Sequence, residues 1–139
     1  MKMRQLLFVI ALVAPMLAQS NPPTFSPGLE AAKIFALGPV GYAAKTSQEE
    51  RQFRAIMALQ PDKAKQELER IYSSGNPQAM AYALVGMRKF DRTRYAELVA
   101  SALVSDVTVR TMSGCIISEE KLSTIAIGLD SEKYDPLLP

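Results

Sequence analysis

The stretch Asn76 to Phe90 (NPQAMAYALVGMRKF) limits the possible folds more than any other part of the chain. Asn followed by Pro is typical of a helix start, because the Asn side chain caps free backbone N–H groups and proline suits the first turn. From Ala79 to Met87 the stretch carries no charged residue. A helix without a polar face must be covered by other elements on most sides. The sequence therefore predicts the central helix of a small helical domain, with Gly86 allowing close approach of a neighbouring helix.

The N-terminus has the pattern of a secretory signal peptide. Lys2 and Arg4 precede an apolar run from Leu6 to Leu17, and Ala18 to Ser20 offers small residues for cleavage. The apolar run is shorter than the about 20 residues needed to span a bilayer. We therefore expect residues 1–20 to be removed, no stable membrane span after cleavage, and an exported protein, either periplasmic or secreted.

The charge balance argues against nucleic acid as a partner. Of the 16 Lys and Arg residues, Lys2 and Arg4 lie in the expected signal peptide, so residues 21–139 carry 14 basic and 14 acidic groups. Proteins that bind nucleic acid concentrate Lys and Arg on one face. A neutral mature chain gives no such indication.

Helical periodicity and capping residues divide the remaining chain. Residues 21–28 contain three prolines and predict a flexible leader. A single helical domain is expected over 29–129, followed by a flexible tail over 130–139. Start and stop signals include a capping box at Ser47 and a helix-terminating glycine at Gly75. The predicted helices are Leu29 to Leu37, Ser47 to Leu59, Asp62 to Tyr72, Asn76 to Phe90, Arg92 to Val104 (capped by Asp91) and Glu119 to Leu129.

The segment Ser105 to Ser118 interrupts the helical pattern. Its β-branched residues, among them Val107 and Val109, favour extended backbone. Ser113-Gly114 predicts a turn, and Cys115-Ile116-Ile117 is apolar enough to be expected in the core. Ser118 is then the expected cap of the last helix.

The helix pairs 47–72 and 76–104 repeat with a period of about 30 residues, the length range of αα-hairpin repeats. Two such pairs resemble a short stack of HEAT repeats, and an irregular bundle fits the same pattern. Together, GPVGYAAKTS, AYALVGM and TMSGCI resemble a group of small exported bacterial proteins of unknown function. The resemblance implies HEAT-like packing and no activity. The expected fold class is therefore all-α, as a small helical bundle or a short HEAT-like stack.

The composition excludes many catalytic and metal sites. The chain has no His, so Ser-His-Asp and Cys-His sites and His-containing zinc sites are impossible within it. Ser118 and Lys121 match the S-x-x-K pattern of serine β-lactamases, but the companion S-D-N and K-T-G motifs are absent. Asp130, Glu132 and Asp135 lack the glycine and final Glu of a calcium-binding EF-hand loop. We expect no metal and no cofactor.

Two apolar loops contain the candidate functional residues, which are Tyr42, Met112, Gly114 and Cys115. Exposed apolar loops often mark partner sites, and the alternative is that both loops pack into the end of the helical stack. Cys115 is either a small buried hydrophobe or an accessible thiol.

The sequence favours a non-enzymatic exported scaffold that binds a protein or peptide partner. Arginine is enriched at interfaces, so the arginines predicted to face solvent are further candidate contacts. They are Arg51, Arg54, Arg88 and Arg92. The alternative function is a redox response through Cys115. The oligomeric state stays open.

Overall fold

The apolar stretch forms the central helix of the structure. The computed structural model describes residues 28–138. Its elements are α1 (Gln48–Met57), α2 (Pro61–Ser74), α3 (Pro77–Phe90), α4 (Arg92–Leu103), β1 (Thr108–Ser113), β2 (Ile116–Lys121) and α5 (Leu122–Asp130), with 3-10 helices at Leu29–Ala31 and Asp135–Leu137. The expected signal peptide, residues 1–20, and the expected leader up to residue 27 lie outside the described residues.

Helix α3 is buried along almost its whole length. The Asn76 side chain accepts a hydrogen bond of 3.0 Å from the backbone N–H of Ala79, and Pro77 is the first helical residue. Residues 81–87 are all buried. Helices α2, α4 and α5 and strand β1 contact α3, which is the cover that a helix without a polar face needs. The prediction of a central helix is confirmed.

Gly86 brings α2 close to α3. A Cβ atom on Gly86 would lie 2.7 Å from Cδ2 of Leu68 and 3.1 Å from Sδ of Met57. Contacts below 3.0 Å are essentially never seen for real Cβ atoms, so a larger residue would push against α2. The predicted close approach of a neighbouring helix is confirmed.

The predicted starts of α1, α2 and α4 are also confirmed. Oγ of Ser47 accepts a hydrogen bond of 3.0 Å from the backbone N–H of Glu50, and Oδ1 of Asp91 accepts one of 3.0 Å from that of Arg94. Pro61 is the first residue of α2. These signals are local, because each cap needs only the residues of its own first turn.

In α1, Glu50 pairs with Arg54 one turn later. Its Oε1 accepts a hydrogen bond of 2.9 Å from Nε of Arg54. Arg54 is exposed, but Glu50 is buried. Glu50 lies one turn before the buried Phe53 and therefore belongs to the same stripe of the helix.

The predicted helix from Leu29 to Leu37 is wrong. A single 3-10 turn, Leu29–Ala31, is followed by extended backbone that lies along one edge of β1. The backbone N–H of Phe35 donates a hydrogen bond of 2.8 Å to the Arg110 carbonyl, and Phe35 accepts one of 3.0 Å from Met112 N–H. This pairing with a distant strand overrides the helical preference of the segment.

Tyr82 of α3 binds the same extended segment at Ala36. Its hydroxyl donates a hydrogen bond of 2.7 Å to the Ala36 carbonyl and accepts one of 3.0 Å from the Ala36 N–H. The rings of Tyr82 and Phe35 pack edge to face, with centroids 4.9 Å apart. Burial raises the pKa of Tyr82 to about 12.

A small antiparallel sheet accompanies the helices, so the all-α expectation is only coarsely correct. In the hairpin β1–β2, Thr108 lies opposite Lys121 and Ser113 opposite Ile116. The expected helix from Glu119, with Ser118 as its cap, is wrong at its start. Cross-strand pairing takes the residues up to Lys121 into β2, and α5 begins only at Leu122.

The expected loose tail is instead packed on the body of the protein. Asp135–Leu137 forms a 3-10 turn, and Tyr134, Leu137 and Leu138 pack against the hydrophobic core. The Asp135 carboxylate forms an ion pair with Arg88 of α3. Apolar burial and this ion pair together explain why the segment is attached.

Candidate functional site

The loop after the first extended segment is fastened to the end of the β1–β2 hairpin. The backbone N–H of Gly41 donates a hydrogen bond of 2.8 Å to the Gly114 carbonyl. Val40 is bridged to Gly114 and also to Lys45, which closes the loop on itself. Two segments far apart in sequence therefore form one end of the molecule.

Backbone conformation explains why glycine occupies positions 41 and 114. Gly41 has φ of 72° and Gly114 has φ of 55°, values that other L-residues adopt at a cost. A Cβ atom on either would meet nothing within 4 Å, so a shortage of space is not the reason. Gly114 and Cys115 form a two-residue hairpin turn, and glycine suits the positive φ at its first position.

Three of the four candidate residues lie on this end, exposed to solvent. Tyr42 is 102% exposed, and both Gly114 and Cys115 are exposed. The alternative that Cys115 is a buried hydrophobe is therefore wrong. Met112 is half-buried and lines a cavity beneath the hairpin, so it does not share the solvent-facing position of the other three.

Ile116 and Ile117 were expected in the core and are instead exposed, by 72% and 51%. Neighbouring residues on a strand point to opposite faces, and at this end of the hairpin neither face is covered. The signal that would have identified them is the Ser113-Gly114 turn, which predicts a hairpin end when apolar residues follow. We call Tyr42, Gly114, Cys115, Ile116 and Ile117 the tip surface.

The cavity beneath the hairpin has a volume of about 130 Å³. Thr111 and Glu120 form part of its wall, and Oγ1 of Thr111 lies 3.3 Å from Oε1 of Glu120. Tyr134 lines the opposite side, and burial, followed by the nearby Glu120 charge, raises its pKa to about 12. Tyr134 is therefore protonated at neutral pH and is a hydrogen-bond donor rather than a base.

The S-x-x-K residues do not form a nucleophilic site. Both lie on β2, where residues three apart point to opposite faces. Oγ of Ser118 lies 2.9 Å from Oγ1 of Thr111, whereas Nζ of Lys121 donates a hydrogen bond of 2.9 Å to Asp106. Ser118 is thus a strand residue and not the expected helix cap.

Asp130, at the end of α5, and Asp135, after it, bind different partners and do not form one site. Tyr95 donates a hydrogen bond of 2.9 Å to Asp130, and Asp135 pairs with Arg88. Within residues 28–138, no group of three or more Cys, Asp or Glu side chains is arranged to hold a metal ion.

The four candidate arginines divide between two regions. Arg51 donates a hydrogen bond of 2.6 Å to the Thr46 carbonyl and lies with Arg54 on the exposed side of α1. Arg88 and Arg92 line a groove at the junction of α3 and α4. The structure places neither pair on the tip surface.

No protein-family model matches the chain, and no match was found among curated proteins or solved structures. In the described part of the chain, no helix has the length and hydrophobicity needed to cross a membrane.

Proposed function

We propose that this chain is an exported, non-enzymatic helical scaffold that binds a protein or peptide partner through the tip surface. The supporting observation is that Tyr42, Ile116 and Ile117 are exposed on two segments joined by a backbone hydrogen bond. Clustered exposed apolar side chains are typical of interaction sites. Their fixed backbone lowers the entropy lost on binding.

The scaffold itself is proposed to be a short HEAT-like stack of two αα-hairpins. Helix α1 contacts α2, α2 contacts α3 and α3 contacts α4. This is the order of neighbours in a stack of helix pairs, where each unit packs on the next. The tip surface lies outside these helices, on the loop and hairpin that they support.

Serine substitutions on the tip surface test the proposed function. The variant Tyr42→Ser/Ile116→Ser/Ile117→Ser removes three exposed apolar side chains. The matched control Leu103→Ser/Val104→Ser/Ile127→Ser removes three from positions that are likewise exposed, on or next to α4 and α5. The unaltered protein is used to capture partners from periplasmic extract or culture medium. Each captured partner is purified, and its affinity for the unaltered protein and for the two variants is measured by titration.

We expect the tip variant to weaken partner binding at least about tenfold, because a few residues near the centre of an interface, with tyrosine prominent among them, each cost over about 1 kcal/mol when truncated. The control variant is expected to bind within about twofold of the unaltered protein. Equal binding by the tip variant and the unaltered protein would contradict the proposal.

The alternative function, a redox response through Cys115, is favoured by the exposure of that thiol. Attack of the Cys115 thiolate on a small-molecule disulfide would form a mixed disulfide and release one thiol. The test compares partner binding by protein treated with oxidised glutathione and protein kept reduced, with Cys115→Ser as control. A treatment effect that Cys115→Ser abolishes supports the alternative, and unchanged binding after complete modification argues against it.

A further inference from the structure

A second surface lies at the junction of α3 and α4. It is a groove of about 370 Å³ beside the C-terminal tail, and it shares no residue with the tip surface. Three apolar residues, three cations and one carboxylate line it. They are Met57, Val85 and Leu138, then Arg88, Lys89 and Arg92, and finally Asp135. We call it the basic groove.

The cations of the basic groove are only partly neutralised. Arg88 is largely buried, with 15% of its side chain exposed, and pairs with Asp135. Glu132 is a second carboxylate whose charge acts on Arg88. Lys89 and Arg92 are exposed, and neither forms an ion pair with any residue between 28 and 138. The groove therefore has positive charge available to an anionic ligand.

The chain's own tail forms one wall of the basic groove and pairs a carboxylate with one of its arginines. Asp135 places its carboxylate on Arg88, and three residues later Leu138 lines the groove beside Met57 and Val85. Upstream on α1, Nη2 of Arg54 lies 3.5 Å from the Leu137 carbonyl. One wall of the groove is thus formed by Asp135 and Leu138. Arg88 and Arg54 hold this part of the tail in place.

We propose that the basic groove binds an acidic segment of a partner protein, in which carboxylates flank an apolar side chain. Arg92 and Lys89 would hold the carboxylates, since a guanidinium matches a carboxylate in two parallel hydrogen bonds. The apolar side chain would contact Leu138, which is half-buried, because Met57 and Val85 are themselves buried. The proposal rests on the role of the chain as a binding protein but uses a separate surface, so either can fail alone.

Fluorescence anisotropy with defined peptides tests the ligand class. The probe is the peptide GDELDLG with fluorescein on its N-terminus and an amidated C-terminus. The references carry the same label and ends, and they are GNQLNLG, in which amides replace the three carboxylates, and GDESDSG, without leucines. We expect GDELDLG to bind at least tenfold more tightly than either reference, and its affinity to fall as salt rises. Equal affinity of GDELDLG and GNQLNLG would overturn the acidic assignment, and equal affinity of GDESDSG would overturn the apolar one.

Matched variants locate the site. Lys89→Gln/Arg92→Gln is expected to weaken GDELDLG binding at least tenfold. Lys33→Gln/Lys63→Gln removes the same charge from exposed residues outside the groove and is expected to change binding less than twofold. Equal losses in the two variants would show non-specific attraction and overturn the proposed site.

Two further measurements separate this proposal from others. The variant Tyr42→Ser/Ile116→Ser/Ile117→Ser is expected to bind GDELDLG as the unaltered protein does, so loss of tip binding leaves the groove testable. Vesicles of anionic phospholipid and inorganic polyphosphate are tested as competitors. Displacement of GDELDLG by either at equal charge concentration would overturn the assignment to an acidic protein segment.

Discussion

The backbone N–H of Gly41 donates a hydrogen bond of 2.8 Å to the carbonyl oxygen of Gly114. The exposed residues Tyr42 and Cys115 directly follow these two glycines. The hydrogen bond therefore fixes the separation of the two backbone segments that carry these side chains, which come from distant parts of the sequence. A fixed backbone loses less entropy when a partner binds, which is why this contact matters for the proposed function.

Substitution of Gly114 tests the conformational demand of the hairpin turn. Gly114→Ala is expected to lower the free energy of unfolding by about 1–2 kcal/mol, because alanine is strained at positive φ. Since a Cβ there meets nothing within 4 Å, no packing change offsets this cost. Gly114→Asn should lose less, since asparagine enters the left-handed region more readily. Urea unfolding measures both, and equal stability of the alanine variant and the unaltered protein would contradict this explanation.

Gly86→Ala tests the packing of α2 on α3. Alanine has the higher helix propensity, by about 1 kcal/mol, but its Cβ would lie 2.7 Å from Leu68. Overpacking of a core costs about 1–3 kcal/mol, so we expect a net loss of about 1 kcal/mol. Thermal or urea unfolding shows whether Gly86→Ala lowers or raises the free energy of unfolding.

A double-mutant cycle with Leu68→Ala provides the control for that prediction. Leu68→Ala alone should cost about 2–5 kcal/mol, and the double variant should cost less than the sum of the two. Additive losses would mean that the methyl group introduced by Gly86→Ala does not press on Leu68.

Tyr82 makes stability depend on alkaline pH. Burial raises the pKa of Tyr82 from an ordinary 10.0 to about 12, so the folded protein keeps a proton that the unfolded chain releases. The stabilisation is complete below pH 10 and is lost as pH rises through about 12. One pKa unit corresponds to about 1.4 kcal/mol, so the rise from 10.0 to about 12 gives a total loss of about 3 kcal/mol.

Urea unfolding between pH 9 and 12 measures this loss, with Tyr82→Phe as the comparison. The pKa of Tyr134 is also raised to about 12 by burial, so the phenylalanine variant should keep part of the pH dependence and lose the rest. A variant with the same slope as the unaltered protein would show that Tyr82 ionises freely in the fold.

Local signals explain the part of the fold that the sequence predicts well. Asn76, Ser47 and Asp91 each cap a helix with side-chain atoms that bond within the next three residues. Such contacts need no knowledge of the rest of the chain. The uncharged run of α3 likewise predicts burial, because no other arrangement satisfies an apolar surface on all sides.

The errors lie where contacts are distant in sequence. Phe35 pairs with β1, and that pairing decides the backbone of a segment with helical composition. Ile116 and Ile117 are apolar but exposed. Their burial depends on whether another element of the fold packs over that end of the hairpin. For the site, loop composition predicted the candidates Tyr42 and Cys115, whereas the exposure of the neighbouring isoleucines follows from the hairpin that begins at the Ser113-Gly114 turn.

Export is tested on the N-terminal residues. We expect the protein recovered outside the cytoplasm to begin at Asn21, because cleavage is predicted after Ser20. Leu12→Arg places a charge in the apolar run and should retain the precursor in the producing cell, whereas Leu12→Ile should not. Intact-mass spectrometry of the protein from the cell fraction and from the exported fraction identifies the first residue in each. An exported protein that still begins at Met1 would contradict the predicted signal peptide.

Photo-crosslinking in the producing cell tests the central claim, that the tip surface contacts a partner. Benzoylphenylalanine is placed in turn at Tyr42 and Ile116, and at the exposed controls Val104 and Ile127. We expect the same discrete adduct from positions 42 and 116 and none from positions 104 and 127. No adduct at the two tip positions, or one common adduct at all four, would contradict the proposed function.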